Sequence, residues 1–140
     1  MTSNLQRLVS VAAITALAMF SMGLIAKDYL AGSWMVTVMP DEDARREKAK
    51  DISDEWTFKP GQFSTVQFAK LGFAPAEYED DTRGISSVTF KTALQSEKEG
   101  VLLIEGSTAT GTELRGTIKW KKPNGDEWNY TFQGEKKPLR

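Results

Sequence analysis

From Gly32 onward the chain alternates apolar and polar residues with a period of two. In SWMVTVMP, Trp34, Val36 and Val38 share one face, and Ser33, Met35, Thr37 and Met39 take the other. In ELRGTIKWKK, Leu114, Ile118 and Trp120 fall opposite Arg115, Thr117, Lys119 and Lys121. DEWNYTFQG sets Trp128, Tyr130 and Phe132 against Glu127, Asn129, Thr131 and Gln133. Successive side chains of a strand point to opposite faces, so this pattern predicts strands with one dry and one wet face. No long helical period competes with it.

The remaining segments extend the pattern. VLLIEGSTA turns Leu102 and Ile104 inward and Leu103 and Glu105 outward, and SSVTFKTALQ aligns Val88, Phe90 and Leu94. In EWTFKPGQFSTVQF, Trp56 and Phe58 share a face, and Phe63 restarts the chain after Pro60-Gly61. Pro-Gly suits a type II turn, because proline presets φ at the first central position and glycine accepts positive φ at the second. Asn124-Gly125 reads as a type I′ hairpin turn, and further turns fall at Ser96 to Gly100 and around Thr110-Gly111.

The result is seven or eight strands at spacings of about 8 to 12 residues, the mark of an all-β sandwich or barrel. Short antiparallel connections favour an up-and-down barrel of about eight strands, which leaves no open edge. Two connections are long. Residues 40–53 are dense in both charge signs and read as a short helix capped by Asp41 or a solvated loop, unburied either way, and as a flap over one end. Residues 67–84 read as a turn of helix at Ala69 to Leu71, a stop at Gly72, and an extended piece near Phe73 to Glu79.

The first 26 residues differ in kind. Arg7 is the only charge before Lys27, and the nineteen residues LVSVAAITALAMFSMGLIA carry none. A basic start, an apolar run and small residues at its end describe a secretory signal, with cleavage after Gly23 or Ala26. The competing reading is an uncleaved membrane anchor, since nineteen uncharged residues just suffice to span. The expected organisation is therefore a signal segment over 1–26 and a single barrel domain over 27–140, exported to a periplasmic or extracellular space. Contact with a membrane is expected only through an uncleaved leader.

Composition narrows the chemistry. The chain has no histidine and no cysteine. The first absence removes the commonest general base and transition-metal ligand; the second removes thiol chemistry, thiolate metal sites and covalent haem attachment. Without disulfides, the apolar core alone must stabilise the domain. Removing Arg7 with the leader leaves 17 basic against 19 acidic residues, too even a balance for nucleic acid. Catalysis by paired carboxylates needs two acids in one cleft, whereas Glu105, Glu113 and Glu127 fall on wet faces or strand ends. No nucleophile elbow or phosphate-cradling glycine loop is present. Glu77, Glu79, Asp80 and Asp81 lack the spacing and glycine of an EF-hand and read as a solvated loop, as does Asp41-Glu42-Asp43. Asn129-Tyr130-Thr131 matches a glycosylation sequon but lies in a predicted strand. The expectation is a non-enzyme with no cofactor and no metal.

Against this background Gly32-Ser33-Trp34 stands out. It opens the first predicted strand, directly after KDYLA, a plausible closing turn. The arrangement resembles the calycin superfamily, which includes lipocalins, fatty-acid-binding proteins and avidins. In lipocalins a Gly-x-Trp motif opens the first barrel strand. The resemblance implies that Gly32 and Trp34 form the closed base of a barrel, with a basic residue near the last strand, Lys136, Lys137 or Arg140, covering the tryptophan.

Inward parity gathers a ring-rich lining, from which Trp56, Phe58, Phe63, Phe90, Trp120, Trp128 and Tyr130 are the candidate ligand-binding residues. An eight-stranded barrel is wide enough either to hold one small ligand or to be filled by its own side chains. The first outcome describes an exported barrel that binds a small apolar or amphipathic ligand. The second describes a filled barrel that acts on a protein partner, as an interaction or protease-inhibitor module.

Overall fold

The computed structural model describes residues 29–82 and 87–138; the expected leader over 1–26 and Arg140 lie outside them. In chain order the elements are β1 (Gly32–Pro40), the helix α1 (Glu42–Arg46), β2 (Ile52–Lys59), β3 (Gln62–Thr65), a 3-10 turn (Ala69–Leu71), β4 (Tyr78–Asp81), β5 (Val88–Ser96), β6 (Gly100–Thr108), β7 (Glu113–Lys121) and β8 (Glu127–Lys136). Among the described residues, no helix is long and apolar enough to cross a membrane.

All eight strands belong to one antiparallel sheet in the order β3-β2-β1-β8-β7-β6-β5-β4. Its two edges meet, among the described residues, through one bridge between Phe63 of β3 and Ala76, just before β4. Phe63 N donates to Ala76 O at 2.7 Å and Ala76 N to Phe63 O at 3.0 Å. The sheet is thus a nearly closed barrel, as its alternating faces and short turns predict. It has a base, where β1 begins, and a rim, where β1 ends.

Parity decides what enters the barrel. Trp34, Val36 and Val38 of β1 are buried, as are Trp56 and Phe58 of β2, Leu102 and Ile104 of β6, and Leu114, Ile118 and Trp120 of β7. Two adjacent inward positions of the wall carry no side chain. Gly106 of β6 and Gly116 of β7 are cross-strand partners. A Cβ on Gly116 would lie 2.6 Å from the Phe132 ring and 2.0 Å from the Glu105 carbonyl oxygen; one on Gly106 would lie 2.7 Å from Phe132 and 2.8 Å from Phe90. A strand glycine often marks such a close approach. The pair makes a hollow in the wall, and the rings of the two phenylalanines occupy it.

Two expectations need correction. The 40–53 connection does form the helix capped by Asp41, whose Oδ1 accepts Ala44 N at 2.8 Å. It is not wholly solvated, however, because Ala44 and Ala49 are buried in the core. Two alanines among many charges are too few to register as an apolar period. The 122–126 hairpin is not a type I′ turn on Asn124-Gly125. Only Gly125 takes positive φ, at 96°, and the turn closes with Gly125 N donating to Lys122 O at 3.0 Å. Pro123 explains the shift. Its fixed φ suits the first central position of a type I turn, which places Asn124 second and Gly125 fourth. Pro60-Gly61 behaves as expected, with Gly61 at φ 73° between the paired residues Lys59 and Gln62.

Candidate functional site: the ring-lined axis and the rim

The base is built around Trp34, which is fully buried. Its indole Nε1 donates to Leu30 O at 2.8 Å, tying the ring to the turn before β1. Gly32 opens the strand at φ 117°, a conformation that favours glycine. Of the basic residues expected over the tryptophan, Lys136 takes the place. Its Nζ lies 5.1 Å from the Trp34 ring centre and donates to Tyr29 O at 2.8 Å. On β8, Phe132, Gly134 and Lys136 share the inward parity. Lys137 turns outward instead, and its Nζ approaches Glu55 at 3.4 Å.

Above the base the candidate lining residues separate into two ring sets. Trp56, Phe58, Phe63 and Phe90 meet one another and Phe132 in the axis. The centroid distances are 4.6 Å for Trp56–Phe132, 4.9 Å for Phe58–Phe63, 5.0 Å for Phe58–Phe90 and 5.2 Å for Trp56–Phe63. Most of these pairs are edge-to-face, the arrangement the ring quadrupoles prefer. Tyr78 of β4 completes this set, 5.2 Å from Phe58 across the bridged seam.

Trp120, Trp128 and Tyr130 form the second set at the rim, and two residues from the 67–84 connection complete it. Phe68 and Phe73 each stand 5.8 Å from Trp120, edge-to-face. Both are buried, so the connection that reads as least regular in sequence is the plug of the upper end. Neither residue belongs to a strand pattern, and only their position between Pro60-Gly61 and the β4 segment hinted that they return to the barrel.

Asp54 is the residue that parity alone would have found, since it shares the inward face of β2 with Trp56. It is a buried carboxylate. Its Oδ2 accepts Trp56 Nε1 at 2.9 Å, while Oδ1 accepts the backbone N–H of Glu55 at 2.8 Å, Val66 at 3.2 Å and Gln67 at 2.8 Å. The acid thus anchors the start of the plug and orients a ring of the axis, and those four bonds occupy both its oxygens.

Two tyrosines have altered ionisation. Tyr130 is pushed up to about 12, chiefly by burial and then by the negative charge of Asp41. Tyr78 is also raised, by burial and then by Asp80. Two buried polar atoms of the ring sets, Tyr78 Oη and Trp128 Nε1, have no hydrogen-bond partner.

Outside the wall the strands form open grooves. One of about 470 Å³ is lined by Met35, Thr37, Met39, Arg115, Gln133 and Glu135, and another of about 510 Å³ lies over Glu79, Thr89, Lys91, Glu105 and Thr117. Met35 is half exposed there. Among the described residues, no group of three or more acidic side chains is placed to hold a metal ion.

These features define a small antiparallel β-barrel, nearly closed, with its axis occupied by its own rings. No protein-family model matches the chain. No curated protein matches it either. Among solved structures it is similar to EF1p2_mFAP2b bound to DFHBI, at 15% identity over 80% of this chain and 97% of that chain, with a TM-score of 0.47. It is also similar to a redesigned beta barrel, b11L5F_LGL, at 12% identity over 81% of this chain and 96% of that chain, with a TM-score of 0.42. The eight-stranded barrel stands on the strand ladders of this chain itself.

Proposed function

We propose that this chain is an exported, non-catalytic binding barrel of the calycin type. Its interior is filled, and its partner is met at the rim and on the outer wall, as a protein-interaction or inhibitor module. The observation that carries this reading is the occupation of the axis. Phe90 of β5 stands 5.0 Å from Phe58 of β2 and 6.5 Å from Phe132 of β8 across it, Trp34 fills the base, and Phe68 and Phe73 fill the rim. A ligand of drug-like size needs a cavity of roughly 300 Å³ or more, and rings at these separations leave no such room between them. The non-catalytic part is supported by the absence of histidine and cysteine and by Asp54, whose oxygens are committed to structural bonds. Export is supported by Arg7 and the uncharged run that follows it.

A second reading has its own observation. Tyr78 Oη and Trp128 Nε1 are buried without partners, and an amphipathic ligand entering past the plug would supply acceptors for them. A pull-down from the periplasmic or extracellular fraction, run beside native mass spectrometry and titration with a hydrophobic fluorophore, separates the two. A stoichiometric protein partner with no saturable dye binding is expected. A co-purified small molecule with saturable dye binding and no protein partner would reverse the order of the readings.

A further inference from the structure

We propose that the corner between Trp120 and Trp128 at the rim is a binding site for a small organic cation of the quaternary-ammonium class, with Lys122 as its internal occupant. The inference rests on the rim being a binding surface and names what one part of it takes.

The geometry begins with the two indoles. Their centroids are 5.9 Å apart and their planes stand at 72°. The ammonium of Lys122 lies 3.3 Å from the Trp128 centre and 4.4 Å from the Trp120 centre. Those three distances close a triangle in which the rings subtend close to a right angle at Nζ. The charge therefore sits in the corner of two nearly perpendicular aromatic walls, the arrangement by which aromatic cages hold alkylated ammonium groups. Tyr130, 6.5 Å from Trp120 with its plane inclined at 30°, backs that wall.

The choice of partner is informative. A lysine at a charged hairpin has carboxylates within its loop, here Asp126 and Glu127. Yet none of the ion pairs found among the described residues involves Lys122, and its cation contacts are with indoles. The corner is thus a preferred place for a positive charge, already desolvated on two sides.

The walls are unequal. Trp120 Nε1 donates to Glu99 O at 2.7 Å, which fixes that ring against the β5–β6 turn. Trp128 Nε1 is buried and has no partner, so no hydrogen bond holds its indole in place. One wall is fixed and the other can adjust to a cation larger than an ammonium. A quaternary ammonium is less strongly hydrated than the lysine ammonium and makes contact over more of each ring. It can displace Lys122, whose flexible stem swings into water from the hairpin.

The test titrates tetramethylammonium chloride into the purified chain at constant ionic strength set with sodium chloride, reading tryptophan fluorescence. Lys122→Ala is expected to bind saturably and about two- to thirty-fold more tightly than the unaltered chain, the range that a cation–π contact of this kind spans. Trp128→Ala in the Lys122→Ala background is expected to abolish binding, and Trp128→Phe to weaken it. Equal affinities with and without Lys122, no saturable response in Lys122→Ala, or binding indifferent to both changes at Trp128 would each overturn the proposal. If Lys122→Ala fails to fold, Lys122→Gln keeps the stem without the charge and is judged by the same outcomes. A protein partner still captured by a Lys122→Ala chain that binds no cation would sink this inference alone. Absence of any stoichiometric protein partner for the unaltered chain, with saturable cation binding by Lys122→Ala, would sink the wider reading instead.

Discussion

Lys136 is the cross-strand partner of Trp34, and from there its Nζ reaches the Tyr29 carbonyl at 2.8 Å while standing 5.1 Å from the indole centre. One lysine therefore ties the last strand, the first strand and the turn before it into a single closure. Trp34→Ala removes the largest side chain of that closure and leaves a cavity, so a loss of about 3–5 kcal/mol is expected. Lys136→Met keeps most of the packing and loses the charge and the bond to Tyr29, with an expected cost of about 1–2 kcal/mol. Urea denaturation followed by fluorescence measures both. A Trp34→Ala midpoint equal to that of the unaltered chain would contradict the role assigned to Gly32-Ser33-Trp34.

The glycine hollow makes a sharper claim. A methyl on Gly116 would meet the Glu105 carbonyl oxygen at 2.0 Å, which is backbone and cannot swing aside, as well as the Phe132 ring. A methyl on Gly106 meets two rings and the Arg115 carbonyl at 2.7 Å or more. Gly116→Ala is therefore expected to destabilise by about 3 kcal/mol or more, and Gly106→Ala by less. Trimming the ring with Phe132→Leu relieves only one of the Gly116 clashes. The double variant Gly116→Ala, Phe132→Leu should stay as unstable as Gly116→Ala or fall further. Full recovery on trimming would show that the ring alone, and not the β6–β7 backbone, sets the need for glycine.

Most of the wall was legible in the sequence because alternation is a local signal. Each inward residue of β1, β5, β6, β7 and β8 announces itself through its neighbours two positions away. The buried ring at the start of β1 was anticipated for a different reason, the resemblance of Gly32-Ser33-Trp34 to the opening of a lipocalin strand. What the sequence hides are contacts made by residues without a period. Phe68 and Phe73 flank a single 3-10 turn, and their apolar neighbours two positions before, Val66 and Leu71, are exposed, so alternation does not mark the rings as inward. Ala44 and Ala49 are small apolar residues in a highly charged segment, and their burial depends on where α1 lands against β1 and β8. The choice of Lys136 over Lys137 follows from the parity of Trp128, Tyr130 and Phe132, but only once β8 is known to run on through Gly134 to Lys136. Whether the ring-lined axis is hollow depends on ring-to-ring distances, which no pattern of residue types encodes.

Asp54 joins an axis ring to the plug, and its removal should be felt in both. Asp54→Ala takes this acceptor from Trp56 Nε1 and from the backbone N–H groups of Glu55 and Gln67, while Val66 N keeps Glu55 O at 3.0 Å. The expected cost is about 3–5 kcal/mol, since each buried donor left unpaired costs about 1–3 kcal/mol and water satisfies some of them. Asp54→Asn retains one carbonyl oxygen for the backbone donors but turns an NH2 toward the Trp56 N–H, so it should lose roughly half as much. Hydrogen exchange at Gln67 reports the plug directly, because its N–H donates to Asp54. Protection there that survives Asp54→Ala would mean that the turn holds itself and the carboxylate serves only Trp56.

Alkaline pH tests the burial of the rim. Tyr130 ionises near pH 12 in the folded chain, against an ordinary value of 10.0, because burial and the Asp41 charge both disfavour the phenolate. The folded state thus holds this proton more tightly than the unfolded state does. Its contribution to stability is complete below pH 10 and is lost as the pH rises through 12. Tyr78, raised for the same kinds of reason, acts in the same direction. Urea midpoints measured from pH 9 to pH 12 should fall in the upper part of that range, and absorbance at 295 nm should show a tyrosine that titrates late. Tyr130→Phe removes the ionisable group but keeps the ring, so the variant should lose less stability over the same interval. Parallel midpoints for the variant and the unaltered chain up to pH 12 would show that the Tyr130 hydroxyl is hydrated in the folded barrel, and the rim would then be wetter than its packed rings imply.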